Sequence, residues 1–220
     1  MSAMPLDLLT LSITLTSAAV FSGKPGRRHC PRCRRPEVVC YCSLIRPVDN
    51  RWPVHILQHP RESGHAVGTA RIAALSLTRC GLDILQQSFS PSPGDVLVYP
   101  GADARPLEEL TGESPHRLLF LDASWRKSRR MLHEQPALAA LPRYCLTDAP
   151  PSRYRIRREP ERGFLSTVEA VVLALETLER EPGRYHSLLQ VMDWMIDQQI
   201  HHMGDSVYRR HYGNGSEGES

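Results

Sequence analysis

Arg117–Met131, RLLFLDASWRKSRRM, is the stretch that decides the fold. It opens on an apolar run, Leu118–Leu121, of the length expected for a buried strand. Asp122, Ala123, Ser124 and Trp125 follow at once, and Arg126–Arg130 reads as the first turns of a helix. In an open α/β sheet, ligands bind beyond the carboxyl ends of the strands. Asp122, the first polar residue past such an end, is therefore placed for chemistry. The competing reading is that Asp122 or Ser124 merely caps the following helix.

Outward from this stretch the pattern alternates. Strands are expected over Trp52–Gln58, Leu82–Gln86, Asp95–Tyr99 and Tyr144–Leu146, with helices over Gly68–Leu77, from Pro106–Leu110, and over Lys127–Leu141 with a break at Pro136. A polar loop, Thr147–Gly163, leads into two long helices, Ser166–Arg180 and Tyr185–Met203. Strand–helix alternation predicts an α/β fold, a mainly parallel sheet with helices on both faces. Polar residues gather after successive strands: His59, Arg61 and Glu62, then Pro100, Gly101 and Asp103, then Asp122 to Trp125. There is no dinucleotide-type glycine fingerprint, no P-loop and no Gly-x-Ser-x-Gly elbow.

At 220 residues the chain suits one domain with a small appendage. With 41% hydrophobic and 23% charged residues it has the balance of a globular protein, and a net charge of +3 says little about partners. The distribution says more. Arg27, Arg28, Arg32, Arg34 and Arg35 form one cluster, and Arg126, Lys127, Arg129 and Arg130 a second; Arg153, Arg155, Arg157 and Arg158 form a third. Gathered on one face they would bind phosphates; apart, they are three solvated patches. Residues 1–23 lack a leading positive charge and carry Asp7 where one belongs, so no secretory signal is expected. The run is also too short and polar to span a bilayer. The expectation is a cytoplasmic protein with no membrane association. The tail Gly213–Ser220 is polar and Gly-rich, and disorder is expected there.

Cys30, Cys33, Cys40 and Cys42 have the spacing C-x2-C-x6-C-x-C. Four thiolates in so short a segment satisfy one tetrahedral zinc and leave no open position, which makes the metal structural. A disulfide framework is the alternative, but Cys80 and Cys145 lie far away and no export signal precedes them.

The knuckle Cys30-Pro31-Arg32-Cys33-Arg34-Arg35-Pro36 with Cys40-Tyr41-Cys42, the His59-Pro60-x-Glu62 loop, Asp122-x-Ser124-Trp125, and Tyr154-x-Ile156-Arg157 before Leu165-Ser166-Thr167-x-Glu169-Ala170 occur in that order. Together they resemble the DTW-domain family, from about Arg27 to His202. The signature triplet of that family normally carries Thr where Ser124 stands; both offer a hydroxyl. The family is similar to the knotted SPOUT fold, and its bacterial members are tRNA-uridine aminocarboxypropyltransferases. The resemblance implies transfer of the 3-amino-3-carboxypropyl group of S-adenosylmethionine to N3 of a tRNA uridine, the usual target being the variable-loop U47, giving acp3U. It further implies a lead-in over 1–26, a four-cysteine zinc knuckle over 27–48, a SPOUT-like transferase domain over 49–212 and a tail over 213–220.

Carried onto this chain, the knot implies that three loops hold the co-substrate: Tyr99, Pro100 and Gly101; Leu121, Asp122, Ser124 and Trp125; and Leu165, Ser166 and Thr167 with Glu169. Asp122 is then the general base for the uridine N3 proton. Trp125 stacks on a base or serves as a packing anchor. Ser166-x-x-Glu169 is also a capping box in its own right, and such a helix start can bind the carboxylate of the co-substrate. His59, Arg61, Glu62 and Thr69 line the same cleft, or Arg61 and Glu62 form a local ion pair. Arg32, Arg34, Arg35, Arg61, Arg126, Arg155 and Arg157 are the expected tRNA contacts, and a monomer is the expected state. The rival readings are a methyltransferase of the same fold, an enzyme acting on ribosomal RNA, a non-catalytic zinc-knuckle RNA-binding module, and a structural interaction protein.

Overall fold

Leu118, Leu119 and Phe120 are all nearly inaccessible to solvent, so the strand they form is covered on both faces. A computed structural model shows how; it describes residues 28–65, 67–85, 89–110, 117–156 and 164–212. The lead-in, Arg27, Arg157, Arg158 and the tail lie outside the described residues. The strand is β5, Leu118–Asp122; the others are β1, Val54–Gln58, β2, Cys80–Ile84, β3, Val96–Val98, β4, Arg105–Pro106, and β6, Arg143–Cys145. Their spatial order is β2-β1-β5-β3-β6-β4, and every pairing is parallel.

Alternate side chains point to opposite faces of a strand, and the core divides accordingly. Leu118 and Phe120 join Val54, Ile56, Val96 and Val98 in the larger apolar cluster. On that face pack α1, Ala70–Ser76, α4, Thr167–Glu179, and α5, His186–Met203. Leu119 joins Leu57 and Leu97 on the other face, under Met131 of α2, Trp125–Glu134, and Leu138 of α3, Pro136–Ala139. Truncating Leu119, fully buried in this smaller cluster, to Ala should cost about 2–5 kcal/mol.

Several boundaries move from the sequence expectation for local reasons. Pro53 has no N–H to give a ladder, and β1 begins after it at Val54. The helix expected from Pro106 is instead a two-residue strand followed by a 3-10 turn, Leu107–Leu110. Three residues per turn put Leu107 and Leu110 on one side, and both are buried. α2 begins at Trp125, two residues earlier than Lys127. Asp122 is the last residue of β5 rather than the first beyond it. α5 stops at Gly204, whose φ of 83° suits glycine, and a further helix, α6, Asp205–Tyr212, packs Tyr208 and Tyr212 back against the core.

The cysteine knuckle is not a separate appendage. Cys33, Tyr41 and Ile45 belong to the same buried cluster as Trp52, Tyr154 and the α4–α5 pair. Among the described residues, no helix is long and apolar enough to cross a membrane.

Candidate active site

Parallel register places Gln58, the last residue of β1, directly opposite Asp122, the last of β5. Both are buried. Gln58 Nε2 donates to Asp122 Oδ2 at 2.6 Å, Thr167 Oγ1 at the start of α4 donates to Oδ1 at 2.5 Å, and His59 N–H donates to the Asp122 carbonyl at 3.0 Å. These contacts hold the carboxylate between the sheet and α4. Asp122 is therefore no helix cap; the N-cap position of α2 belongs to Ser124, whose side chain makes no capping bond.

Two cavities meet beside this carboxylate. The first, about 180 Å³, lies beyond β3, β5 and β6. Of the expected co-substrate residues, Tyr99, Pro100, Leu121, Trp125, Leu165, Ser166 and Thr167 line it, together with Tyr154, Phe164 and Ser128. Among the described residues no Asp, Glu, Lys, Arg or His lines it. Trp125 stacks on Tyr99 with ring centroids 5.1 Å apart and meets Phe164 edge-on at 4.9 Å, while Tyr99 Oη and Ser128 Oγ are hydrogen-bonded at 2.9 Å. The Arg129 guanidinium stands 5.4 Å from the Trp125 ring. The Trp125 ring thus packs into the wall of the cavity.

The second cavity, about 280 Å³, is the more polar of the two. Asp122 and Ser124 line it with Glu62, His65, Thr69 and Lys127, and it shares Ala123, Tyr154, Ser166 and Thr167 with the first. The local Arg61–Glu62 pair does not form. Lys127 Nζ, from the first turn of α2, donates to Glu62 Oε1 at 2.5 Å, and Arg61 is exposed. Burial pushes the Glu62 carboxyl up, but Lys127, His65 and the Ser124 N–H together hold it below the usual range. Burial and the nearby Lys127 charge hold His59 below its ordinary value.

Two expected co-substrate residues stand outside both cavities. Gly101 passes beneath the Arg143 side chain, where an added Cβ would meet Nη1 at 2.8 Å. Glu169 is spent on the protein itself: it accepts from the Ser166 N–H at 2.7 Å, the Arg153 N–H at 2.6 Å and Ser152 Oγ at 2.9 Å. It pins the loop before α4 to the helix start.

In the knuckle the Sγ atoms of Cys30, Cys33, Cys40 and Cys42 lie within 4.8 Å of one another, with Cys30–Cys42 and Cys33–Cys40 each at 3.6 Å. Arg34, at φ 60°, turns the chain and donates its N–H to the Cys30 carbonyl. The N–H groups of Cys33 and Arg32 hold the Cys30 thiol down to about 6, whereas burial and the neighbouring thiols push Cys42 up to about 12. Thiols this close ionise together only around a cation, and four sulfur donors at this spacing fit a tetrahedral structural zinc.

The DTW-domain family profile matches residues 27–200, which spans the knuckle and all six strands. The chain belongs to the DTW-domain family. It is 30% identical over 205 residues to tRNA-uridine aminocarboxypropyltransferase 2 of Drosophila melanogaster, covering 84% of this chain and 81% of the fly protein. The mouse protein of the same name is 29% identical over 80% of this chain and 65% of its own length. tRNA-uridine aminocarboxypropyltransferase A of Arabidopsis thaliana is 26% identical over 77% of this chain and 80% of its own. No solved structure matches the chain.

The arginines of this DTW domain part company. Arg32, Arg34, Arg61 and Arg126 are exposed. Arg155 is paired with Asp197 of α5 at 2.5 Å, and Arg153 with Asp193. Arg35, expected to touch RNA, is only 6% exposed. Burial pulls its guanidinium below its usual value. Arg157 lies outside the described residues.

Gln58, His65, Lys127, Ser128 and Phe164 stand at or beside the cavities and were not singled out from the sequence. Gln58 left one signal, a polar residue closing an otherwise apolar strand; Lys127 was read only as part of a charge run.

Proposed function

We propose that this DTW-domain protein is a tRNA-uridine aminocarboxypropyltransferase that uses S-adenosylmethionine. The observation that carries the reading is the Asp122 carboxylate, held at the meeting of an apolar and a polar cavity at the carboxyl ends of β1 and β5. Family membership and the likeness to the fly, mouse and Arabidopsis tRNA-uridine aminocarboxypropyltransferases support it.

The apolar cavity takes the adenosine and sulfonium methyl, and Asp122 faces the incoming uridine. Asp122 removes the N3 proton, the N3 electron pair attacks Cγ of the aminocarboxypropyl chain, and the Cγ–S bond breaks. Its electrons neutralise the sulfonium, 5′-methylthioadenosine leaves, and the proton passes from Asp122 to solvent. Positioning of this kind decides which of the three activated carbons reacts. In this reading the loops after β3 and β5 and the segment entering α4 follow a SPOUT-like knotted path. The target is the variable-loop U47, the zinc is structural, and Arg32, Arg34, Arg61 and Arg126 meet the tRNA backbone. In this reading the protein works as a monomer in the cytoplasm.

Mass spectrometry of a tRNA transcript incubated with the protein and S-adenosylmethionine tests the proposal. A uridine heavier by one aminocarboxypropyl group supports it. A methyl adduct points to a methyltransferase, and unmodified RNA removes the enzymatic reading.

A further inference from the structure

The polar cavity holds a preformed pair of opposite charges that the chemistry above leaves unused. Glu62 comes from the turn after β1 and Lys127 from the first turn of α2; their side chains are 17% and 28% exposed. The neighbouring apolar cavity has no charged lining residue among those described. A ligand that spans both would set a flat, largely apolar group in the first and a pair of opposite charges in the second.

Resting on the S-adenosylmethionine reading, we propose that the polar cavity is the site for the zwitterionic α-amino-acid end of the co-substrate, with Lys127 binding its carboxylate and Glu62 its ammonium. A zwitterion exchanges with the ion pair charge for charge, Lys127 turning from Glu62 to the ligand carboxylate and Glu62 to the ammonium. A uracil ring, being neutral, offers neither charge a partner of opposite sign and gains nothing from opening the pair. Charge-assisted hydrogen bonds are also the stronger kind.

The arrangement bears on which carbon reacts. The sulfur lies on the apolar side and the α-carbon on the polar side, so Cγ spans the boundary. That boundary is formed by Ala123, Tyr154, Ser166 and Thr167, and Thr167 is hydrogen-bonded to Asp122. The methyl group stays on the apolar side, away from the base. Lys127 and Glu62 are thus the residues that make the outcome aminocarboxypropyl rather than methyl transfer.

Calorimetric binding of two probes tests the inference: S-adenosylhomocysteine, which carries the amino-acid end, and 5′-methylthioadenosine, which lacks it. In Lys127→Met and Glu62→Gln, S-adenosylhomocysteine should bind about 10–100-fold more weakly, the worth of one hydrogen bond to a charged group. 5′-Methylthioadenosine should bind each variant as it binds the wild type. Lys127→Arg should recover most of the affinity, which a merely structural role in fold stability would not require. Equal losses for both probes, or no loss for either, overturn the assignment while leaving the co-substrate reading intact. A wild-type protein that binds neither probe overturns both.

Discussion

Gln58 and Asp122 end adjacent parallel strands in register, and Gln58 Nε2 donates to Asp122 Oδ2 at 2.6 Å. The two are 64 residues apart in sequence. The ladder, rather than any local motif, aims the carboxylate, and the Gln58 Oε1 atom is buried with no hydrogen-bond partner among the described residues. The amide is therefore kept for its N–H side. Gln58→Leu should lower kcat for transfer about 10–100-fold, the worth of one hydrogen bond to a charged group, with little change in KM for either substrate. A wild-type kcat would mean that Thr167 alone positions Asp122.

Asp122→Asn retains one acceptor and one donor, enough to face Gln58 and the Thr167 hydroxyl, so the fold should survive. Loss of the base should cut single-turnover transfer by roughly 10²–10⁴-fold. Raising pH should restore part of it, because the uracil N3 then loses its proton to solvent. Near wild-type rates at saturating S-adenosylmethionine would leave the base unassigned, with Glu62 the next carboxylate in the cavity.

Purified protein should carry one zinc per chain, measurable by elemental analysis. Because Cys33, Tyr41 and Ile45 share the main core with α4 and α5, loss of the metal should reach beyond the knuckle. Cys40→Ser, or chelation, should lower the melting temperature of the whole chain by roughly 5 °C or more. A melt that leaves the sheet unchanged would restore the knuckle as an independent unit.

Arg32 and Arg34 are exposed, while Arg35, next along the chain, is buried. Arg32→Ala with Arg34→Ala should weaken tRNA binding and flatten its log-log salt dependence by up to about 0.9 per lost phosphate contact. Arg35→Ala should instead lower thermal stability and leave the salt slope alone. A salt slope that responds only to Arg35 would contradict the burial of its side chain.

Asp95 supports the sheet at the amino ends of β3 and β5, opposite the site. Burial raises its carboxyl, but Arg117, at 2.7 and 2.5 Å, and the Ser92 N–H hold it below its ordinary value of 3.8. The folded value lies below the unfolded one, so the stabilisation is complete above about pH 4 and is lost as pH falls through the folded value. Asp95→Asn should cost about 1–3 kcal/mol at pH 7 in urea melts. The gap from wild type should narrow at pH 3, and a constant gap would assign the loss to packing instead.

The sequence by itself determined what depends on neighbours along the chain. The apolar run Leu118–Leu121 marked a buried strand, and the alternation of such strands with helical stretches made the parallel sheet legible. The cysteine spacing brings four sulfurs together within one short segment, so the metal knuckle was legible too. Ser166 and Glu169 stand one helical turn apart, and Glu169 does accept the Ser166 N–H. The tertiary structure alone decided the rest. Thr167 reaches Asp122 across 45 residues and Lys127 reaches Glu62 across 65. Those meetings are set by strand order and helix packing, which no local pattern encodes. The arginine cluster divides for the same reason. Arg34 and Arg35 are adjacent and alike in sequence, yet the turn at Arg34 sends one side chain to solvent and the other into the core.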